Sequence, residues 1–205
     1  MSERELVAVY ADESCLGNGR EGDNPGGAGV LLEYRRGGGV IVRRDLWLSE
    51  PATTNNRMAL RSVIAGLSAL GAKGAAFDVV FTTDSRYIVD GMTQWVHSWA
   101  RRSWVRKGGA IENLSLWFEA LRAGRRHAVR WDWVKGHAGH AQNEYANDLA
   151  MRAAGDQTSS DGFVDSGFDA WLAAGTAGAR RAELAAFPDH GTFRAHAALP
   201  APPGG

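Results

Sequence analysis

Cysteine, lysine, proline and excess charge are all scarce in this chain of 205 residues. Its one cysteine, Cys15, cannot close an internal disulfide, which excludes a disulfide-stapled secreted domain and predicts a reducing cytoplasmic location. The 23 Lys and Arg residues balance 23 Asp and Glu, so the formal net charge is zero. A zero sum gives no excess positive charge to favour a nucleic-acid partner, although it does not say where the charges lie.

Long apolar runs are also missing. No run approaches the roughly 20 residues that a membrane-spanning helix needs, so we expect no membrane partner. Residues 1–10 begin with charges and continue directly into a strand-like run, which is unlike a secretory signal peptide. The length suits one domain with an extension, and we expect a monomer.

The apolar pattern predicts an α/β fold with a mixed sheet. Glycines between positions 17 and 29 predict a loop after the first strand, and Gly37–Gly39 predict a hairpin. The predicted strands span 6–10, 30–34, 40–47, 77–83 and 128–134, and the predicted helices span about 60–67, 85–104, 111–123 and 143–154. We therefore predict a catalytic domain over residues 1–155.

Residues 156–205 form a C-terminal extension that is rich in Ala, Gly, Ser, Asp and Pro. This composition predicts partial disorder. Phe163, Phe168 and Trp171 are its candidates for contact with the domain core.

Two carboxylates follow predicted strands and are candidates for a metal site. Asp12 comes just after the first strand, and Asp84 ends the strand of residues 77–83. If these strands are parallel neighbours, both side chains lie in the crevice where α/β sheets bind ligands. Their repulsion then calls for a cation, and hard oxygen ligands favour Mg²⁺ or Mn²⁺. Two ordinary loop or cap aspartates are the alternative.

Two further segments carry candidate chemistry. The loop Lys135–His140 (KGHAGH) holds two histidines beside glycines, which suits a mobile acid or base, or else two surface histidines. Trp95–Lys107 (WVHSWARRSWVRK) interleaves four basic residues with three tryptophans. That pattern suits a nucleic-acid surface, or a solvated helix whose tryptophans pack inward.

Together these phrases resemble the type 1 ribonuclease H family. The matching stretches are VYADESCLGN, TTNNRM, TTDSRYIVDGMTQWVHSW, ENLSLW and WVKGHAGHAQNEYANDLA, which cover roughly residues 6–154 in the family's order. The resemblance implies a five-stranded mixed sheet flanked by helices, and endonucleolytic cleavage of the RNA strand of an RNA–DNA hybrid. It also implies four carboxylates that hold two divalent metal ions, Mg²⁺ or Mn²⁺.

Residue by residue, the resemblance places the family's first and third carboxylates at Asp12 and Asp84, and its flexible-loop histidine at His137. Backbone and minor-groove contacts with the hybrid fall on short polar side chains, and its basic protrusion falls on Trp95–Lys107. The implied nucleic-acid-binding residues are Cys15, Asn18, Thr54, Asn55, Asn56, Arg86, Trp95, Trp99, Arg101, Arg102 and Trp104.

The chain departs from the family pattern at two carboxylates. Ala59 stands where the family has a glutamate, and Asn147 where it has its last aspartate. An acid is gained at Glu13, in the place of a usual glycine. We therefore expect Asp12, Glu13, Asp84 and Asn147 as the catalytic and metal-binding set, with weaker metal affinity and a preference for Mn²⁺. The objection is that adjacent strand residues point to opposite faces.

Three alternatives remain open at this stage. The chain is a catalytically impaired or inactive hybrid-binding module, or Asp148 or Glu144 supplies the missing charge. The second alternative, an acid from Asp148 or Glu144, is disfavoured because a step of one residue along a helix, as from Asn147 to Asp148, rotates the side chain by about 100°. A polynucleotidyl transferase of the same fold is the third, since a fold alone does not determine a function.

Overall fold

The computed structural model describes residues 4–17, 24–175 and 182–203 of the chain. The strands are β1 (Leu6–Cys15), β2 (Gly26–Arg35), β3 (Ile41–Glu50), β4 (Asp78–Thr83), β5 (Ala128–Trp133) and β6 (Val164–Asp165). The helices are α1 (Asn55–Gly71), α2 (Arg86–Asp90), α3 (Val96–Ala100), α4 (Leu114–Gly124), α5 (Ala141–Asp156) and α6 (Phe168–Gly175), and a π-helical turn, Gly91–Trp95, joins α2 to α3. Among the described helices, none combines the length and hydropathy needed to cross a bilayer.

The strands form one mixed sheet in the order β5-β4-β1-β2-β3-β6. β1 pairs parallel with β4, which pairs parallel with β5, whereas β1, β2 and β3 form an antiparallel meander. The predicted mixed sheet is therefore confirmed, with six strands instead of five. The sixth strand, β6, belongs to the C-terminal extension and pairs with β3. It covers backbone N–H and C=O groups that an edge strand would otherwise leave unpaired.

Strand β1 lies at the centre of the sheet and sorts its side chains between two helical layers. Val7, Val9 and Ala11 join the large core under α1 and α4, while Ala8 and Tyr10 join a second core under α5. Both faces of the strand are covered, which explains why residues 6–10 read as a nearly continuous apolar run.

The glycines at the start of β2 are strand residues, so the predicted loop ends before Gly26. A Cβ atom on Gly27 would lie 2.2 Å from the carbonyl oxygen of Ala150, and one on Gly29 would lie 2.2 Å from that of Ala146. Both carbonyls belong to α5. The absent side chains let α5 pack directly on the sheet, a reason for glycine that a turn pattern does not reveal.

The C-terminal extension contacts the domain along the described residues 156–175 and 182–203. Phe168 is fully buried against Tyr145, and Phe193 is buried beside Leu6 and Val80. At the opposite edge of the sheet, the Trp131 N–H donates to His196 Nδ1 over 3.0 Å, and the His196 N–H donates to Val129 O over 2.9 Å. Phe168, one of the three aromatic residues that the sequence offers for contact with the core, is confirmed in that role, and partial disorder of the extension stays a prediction.

The close packing of α5 on β2 predicts that Gly27→Ala destabilises the protein. The new methyl group would overlap two backbone atoms of α5, so we expect a loss of about 1–3 kcal/mol in the free energy of unfolding, measured by denaturant titration. Gly37→Ala is the matched control, because its Cβ would meet no atom within 4 Å. Equal stabilities for the two variants would contradict the close packing.

Candidate active site

Three carboxylates meet where the parallel ladder between β1 and β4 ends. Its last pair is Ala11 with Thr83, so Asp12 and Asp84 follow it side by side. The prediction that Asp12 comes after the first strand is wrong, because pairing with β2 extends β1 to Cys15. One oxygen each from Asp12, Glu13 and Asp84 lies within 4.8 Å of the other two. The prediction that Asp12 and Asp84 lie close together is therefore met.

Glu13 reaches this cluster although it follows Asp12 within β1. Asp12 lies opposite Gly29 on β2 and Glu13 opposite Ala28, so the two side chains leave the strand on opposite faces. The face of Glu13 is the α1 face, where Ala59 is fully buried. From the sequence, strand alternation was the objection to a role for Glu13 beside Asp12. In the structure, that alternation places Glu13 on the same face of the sheet as Ala59.

The cluster is buried and its negative charge is only partly compensated. Asp12 is 6% exposed, and its carboxylate accepts hydrogen bonds from the Glu13 N–H over 2.7 Å and from Asn143 Nδ2 over 3.0 Å. Glu13 Oε2 is buried and has no hydrogen-bond partner among the described residues. Such an orphaned acceptor is costly unless another group satisfies it.

Burial raises the pKa of all three groups, and repulsion within the cluster adds to the rise at Asp12 and Glu13. Desolvation, followed by the charge of Asp84, raises the pKa of Asp12 to about 8 despite its two hydrogen bonds. Burial, then Asp12 and Asp84, raises the pKa of Glu13 well above its usual value. Burial also raises the pKa of Asp84, an effect that His137 partly offsets.

These features fit a site for divalent cations. Three convergent carboxylates supply hard oxygen ligands, and Glu13 Oε2 lacks any other partner. A cation would also offset the repulsion that raises the pKa values of Asp12 and Glu13. Asp12, Glu13 and Asp84 are therefore the described residues that could hold Mg²⁺ or Mn²⁺.

The two asparagines of α5 have different surroundings. Asn143 is buried and donates to Asp12 Oδ2, while its own N–H donates to His140 Nδ1 over 3.3 Å, the N-cap of the helix. Asn147 lies one turn further along, and its Nδ2 contacts Met151 Sδ at 3.4 Å. Of the two alternative acids, Asp148 accepts from Trp171 Nε1 in the extension, and Glu144 Oε1 accepts from the Gly139 N–H.

The histidine loop lies against Asp84. A Cβ atom on Gly136 would be 2.1 Å from Asp84 Oδ2, so only glycine lets the loop come this close. The next residue, His137, has a left-handed φ of 52° and a side chain that is 72% exposed, with Nδ1 4.0 Å from Glu144 Oε2. Burial lowers the pKa of the second histidine, His140, which acts as the helix cap.

Most of the residues predicted to contact the minor groove of the hybrid lie at or beside the N-terminus of α1. Cys15 Sγ lies 3.5 Å from Thr53 O, and Thr54 caps the helix by accepting from the Arg57 N–H. Asn55 Oδ1 is buried and has no hydrogen-bond partner among the described residues, whereas the side chain of Asn56 is exposed. Asn18 lies outside the described residues.

The tryptophans of the basic segment pack inward while its arginines face solvent. Trp95 and Trp99 lie 6.5 and 5.6 Å from Trp117 between ring centroids, and Trp104 lies 4.8 Å from Phe118. Each of these three tryptophans is half-buried, and Arg101, Arg102, Arg106 and Lys107 are exposed. The segment therefore combines an aromatic support with a basic outer surface.

Comparisons with known proteins agree with this geometry. The family model described as RNase H matches residues 4–155. The chain is 42% identical to a ribonuclease H of Pectobacterium carotovorum over 77% of its length and 96% of the relative's. It is 45% identical to a ribonuclease H of Erythrobacter litoralis over 72% of its length and 95% of the relative's. The chain belongs to the ribonuclease H family. Like these relatives, this ribonuclease H is an endonuclease that cleaves the RNA strand of RNA–DNA hybrids.

One solved structure extends the similarity to the whole chain. The crystal structure of LC9-RNase H1 superimposes with a TM-score of 0.94 at 66% identity, covering 100% of this chain and 98% of the other. That protein is described as a type 1 RNase H with the type 2 active-site motif.

Sequence patterns did not single out Asn143, Gly136 or Ser85. Asn143 touches Asp12 and Gly136 lies against Asp84, while the Ser85 side chain beside Glu13 partly offsets the rise in the pKa of that carboxyl. Trp133 Nε1 also donates to Asp84 O over 2.9 Å, with Arg86 stacked on the indole ring at 4.0 Å. For Ser85, the signal in the sequence was its position directly after Asp84, a predicted site residue.

The raised pKa values predict that the metal-free protein loses stability with rising pH. Folding binds protons at Asp12 that the unfolded chain releases near its ordinary pKa, so the free energy of unfolding falls between about pH 4 and about pH 8. We expect the thermal midpoint in EDTA to decrease between about pH 5 and about pH 8. Adding Mn²⁺ should raise it most at the higher pH.

Asp12→Asn is the matched variant for this measurement, because it removes the titrating group and keeps the shape. Its midpoint in EDTA should depend less on pH than that of the parent. A parent and a variant with the same pH dependence would show that Asp12 does not titrate in this range.

Proposed function

We propose that Asp12, Glu13 and Asp84 hold the divalent metal ions with which this ribonuclease H hydrolyses the RNA strand. The observation that carries the proposal is the cluster of three carboxylates within 4.8 Å at the ends of two parallel strands. When bound, Mg²⁺ or Mn²⁺ supplies Lewis-acid activation of the attacking water and stabilises the leaving oxygen.

In this proposal Glu13 replaces the glutamate that Ala59 lacks. Glu13 leaves β1 on the α1 face, and the fully buried Ala59 is too small to fill a glutamate's place. The unpartnered Oε2 of Glu13 is an acceptor in need of a ligand. The description of LC9-RNase H1, at 66% identity, also supports a site that departs from the type 1 pattern.

The fourth position carries an amide instead of a carboxylate. Asn147 lacks a negative charge but offers a carbonyl oxygen, so metal affinity should be weaker than with four acids, and Mn²⁺ is the expected preference. Asn143 acts next to it as a positioning residue, since its Nδ2 fixes Asp12 Oδ2 at 3.0 Å. One turn of α5 thus offers a donor for Asp12 and a neutral ligand candidate.

His137 is the proposed acid or base. Gly136 brings the loop against Asp84, and the largely exposed imidazole of His137 can exchange protons with solvent. An imidazole has both a proton-accepting and a proton-donating form, so it can serve as a base or an acid during hydrolysis.

Hybrid binding should use the groove between α1 and the basic segment. Thr54, Asn55 and Asn56 lie at the start of α1, with Cys15 beside Thr53, and Arg86 follows Asp84 by two residues. Trp95, Trp99, Arg101, Arg102 and Trp104 belong to the basic segment proposed as the protrusion. Short polar groups can detect 2′-hydroxyls in the minor groove without reading sequence. We also keep the cytoplasm and a monomer as expectations, the former because of the single cysteine.

This proposal predicts that Glu13→Gln impairs cleavage. The amide keeps the size of the side chain but removes one of the charges that hold the metal, so kcat on a labelled hybrid should fall by about 100-fold or more in both Mg²⁺ and Mn²⁺. Glu5→Gln, an exposed position just before the same strand, is the control and should cleave like the parent.

The double variant Glu13→Gly with Ala59→Glu moves the acid to the usual family position. It should recover much of the activity that Glu13→Gly alone loses. A parent that binds hybrid but never cuts under either metal would favour the inactive binding module. Full activity of Glu13→Gln would remove Glu13 from the site.

Restoring a fourth carboxylate provides a separate prediction. Asn147→Asp should lower the Mn²⁺ concentration for half-maximal cleavage several-fold, because a charged ligand binds a divalent cation more strongly than an amide. Isothermal titration with Mn²⁺ alone gives the same comparison without turnover. Unchanged metal affinity would show that Asn147 does not contribute to the metal site.

A further inference from the structure

The C-terminal extension reaches the loop that carries His137. The Glu183 N–H donates to Gly139 O over 2.6 Å, and the Ala141 N–H donates to Glu183 O over 3.0 Å. His140 and Glu183 form a parallel β-bridge. Residues 183–185, here called the clamp segment, therefore run beside the end of the histidine loop and the start of α5.

A buried glutamine completes this attachment. Gln142 is fully buried; its Nε2 donates to Ala185 O over 2.8 Å, and its Oε1 accepts from the Ala185 N–H over 3.1 Å. One side chain thus satisfies both backbone groups of Ala185, as a neighbouring strand would. Together with the bonds of Glu183, four hydrogen bonds join the clamp segment to residues 139–142.

In the sequence, the clamped residues 139–142 lie between His137 and Asn143, the residues through which the loop and α5 reach the site. On one side, Asn143 donates to Asp12. On the other, His137 is two residues before Gly139 and holds a left-handed φ of 52°, which a residue with a Cβ keeps only when its surroundings impose it. Gly136 fixes the start of the loop on Asp84 and the clamp segment fixes its end.

His137 itself retains room to move. A cavity of about 180 Å³ lies between His137, Glu144 and the residues Trp171 and Leu172 of α6. The imidazole is 72% exposed. The extension therefore fixes the backbone around His137 without packing its ring in place.

The extension lies outside the domain that the family shares. The family model ends at residue 155, and the two ribonucleases H compared above align over 72–77% of this chain, whereas LC9-RNase H1 aligns over all of it. We propose that the clamp segment is a positioning element for the reaction, which holds the His137 loop at a fixed distance from Asp84. This inference rests on the proposed role of His137.

The test compares steady-state kinetics on a labelled hybrid for the full-length protein and its variant Ala185→Pro. Proline removes the N–H that Gln142 Oε1 accepts, so the loop should become less well placed. We expect kcat to fall by about threefold or more with little change in KM, because positioning and not affinity is lost. In a His137→Ala background, Ala185→Pro should cause no further loss of kcat.

Ala198→Pro is the matched control. Ala198 is an exposed residue of the same extension, and its N–H donates to no described residue. It should leave kcat unchanged. If Ala185→Pro does not fold, Gln142→Leu carries the same comparison, since it removes both bonds to Ala185. Gln142 also hydrogen-bonds the buried Glu33, which in the variant keeps its ion pair with Arg43 at 2.7 Å.

The outcomes separate this inference from the function on which it rests. If His137→Ala leaves kcat unchanged, the role of His137 fails, and the inference with it. If His137→Ala lowers kcat but the clamp variant does not, only the inference fails. An equal loss from the clamp variant with and without His137 would also overturn it, because the effect would then not pass through that residue.

Discussion

Mutual repulsion among three buried carboxylates is the constraint on which the site depends. Asp12, Glu13 and Asp84 are held within 4.8 Å by β1 and β4, two parallel neighbours at the middle of the sheet. The core around these strands keeps the three groups together although burial raises the pKa of each, and their proximity raises it further at Asp12 and Glu13. The metal-free protein therefore has a lower free energy of unfolding, which a divalent cation bound at this site can restore.

The same strand carries the proposed replacement of the missing glutamate. Alternation along β1 sends Asp12 toward α5 and Glu13 toward α1, so two adjacent acids approach one site from two layers of the fold. Asn143 supports the first from α5, and the buried Ala59 belongs to the layer on the side of the second. In the proposed site, a carboxylate on β1 thus stands in for one on α1.

The sequence was sufficient to predict the fold class and, on the condition that the strands before Asp12 and Asp84 are parallel neighbours, the meeting of these two carboxylates. Apolar runs and the carboxylates that end them are local features, and parallel pairing then follows from the right-handed crossover. The strand role of Gly27 and the contact of Asn143 with Asp12 could not be predicted, because both depend on how closely α5 packs on β2. The attachment of the clamp segment was missed for a related reason: Gln142 and Ala185 are 43 residues apart, and no pattern joins them.

The zero net charge also resolves into separate regions. Arg101, Arg102, Arg106 and Lys107 are exposed on the basic segment, whereas three acids, Asp12, Glu13 and Asp84, form the carboxylate cluster. Arginine supplies 20 of the 23 basic residues, and its planar guanidinium suits bidentate phosphate contacts. Binding should therefore depend on the fit of the groove and the metal more than on bulk charge.

The most direct measurement is a crystal of the full chain soaked in Mn²⁺ and examined by anomalous diffraction. We expect a manganese peak within about 2.0–2.5 Å of carboxylate oxygens from Asp12, Glu13 and Asp84. A peak coordinated by Asp12 and Asp84 alone, with Glu13 turned away, would contradict the replacement of the missing glutamate by Glu13.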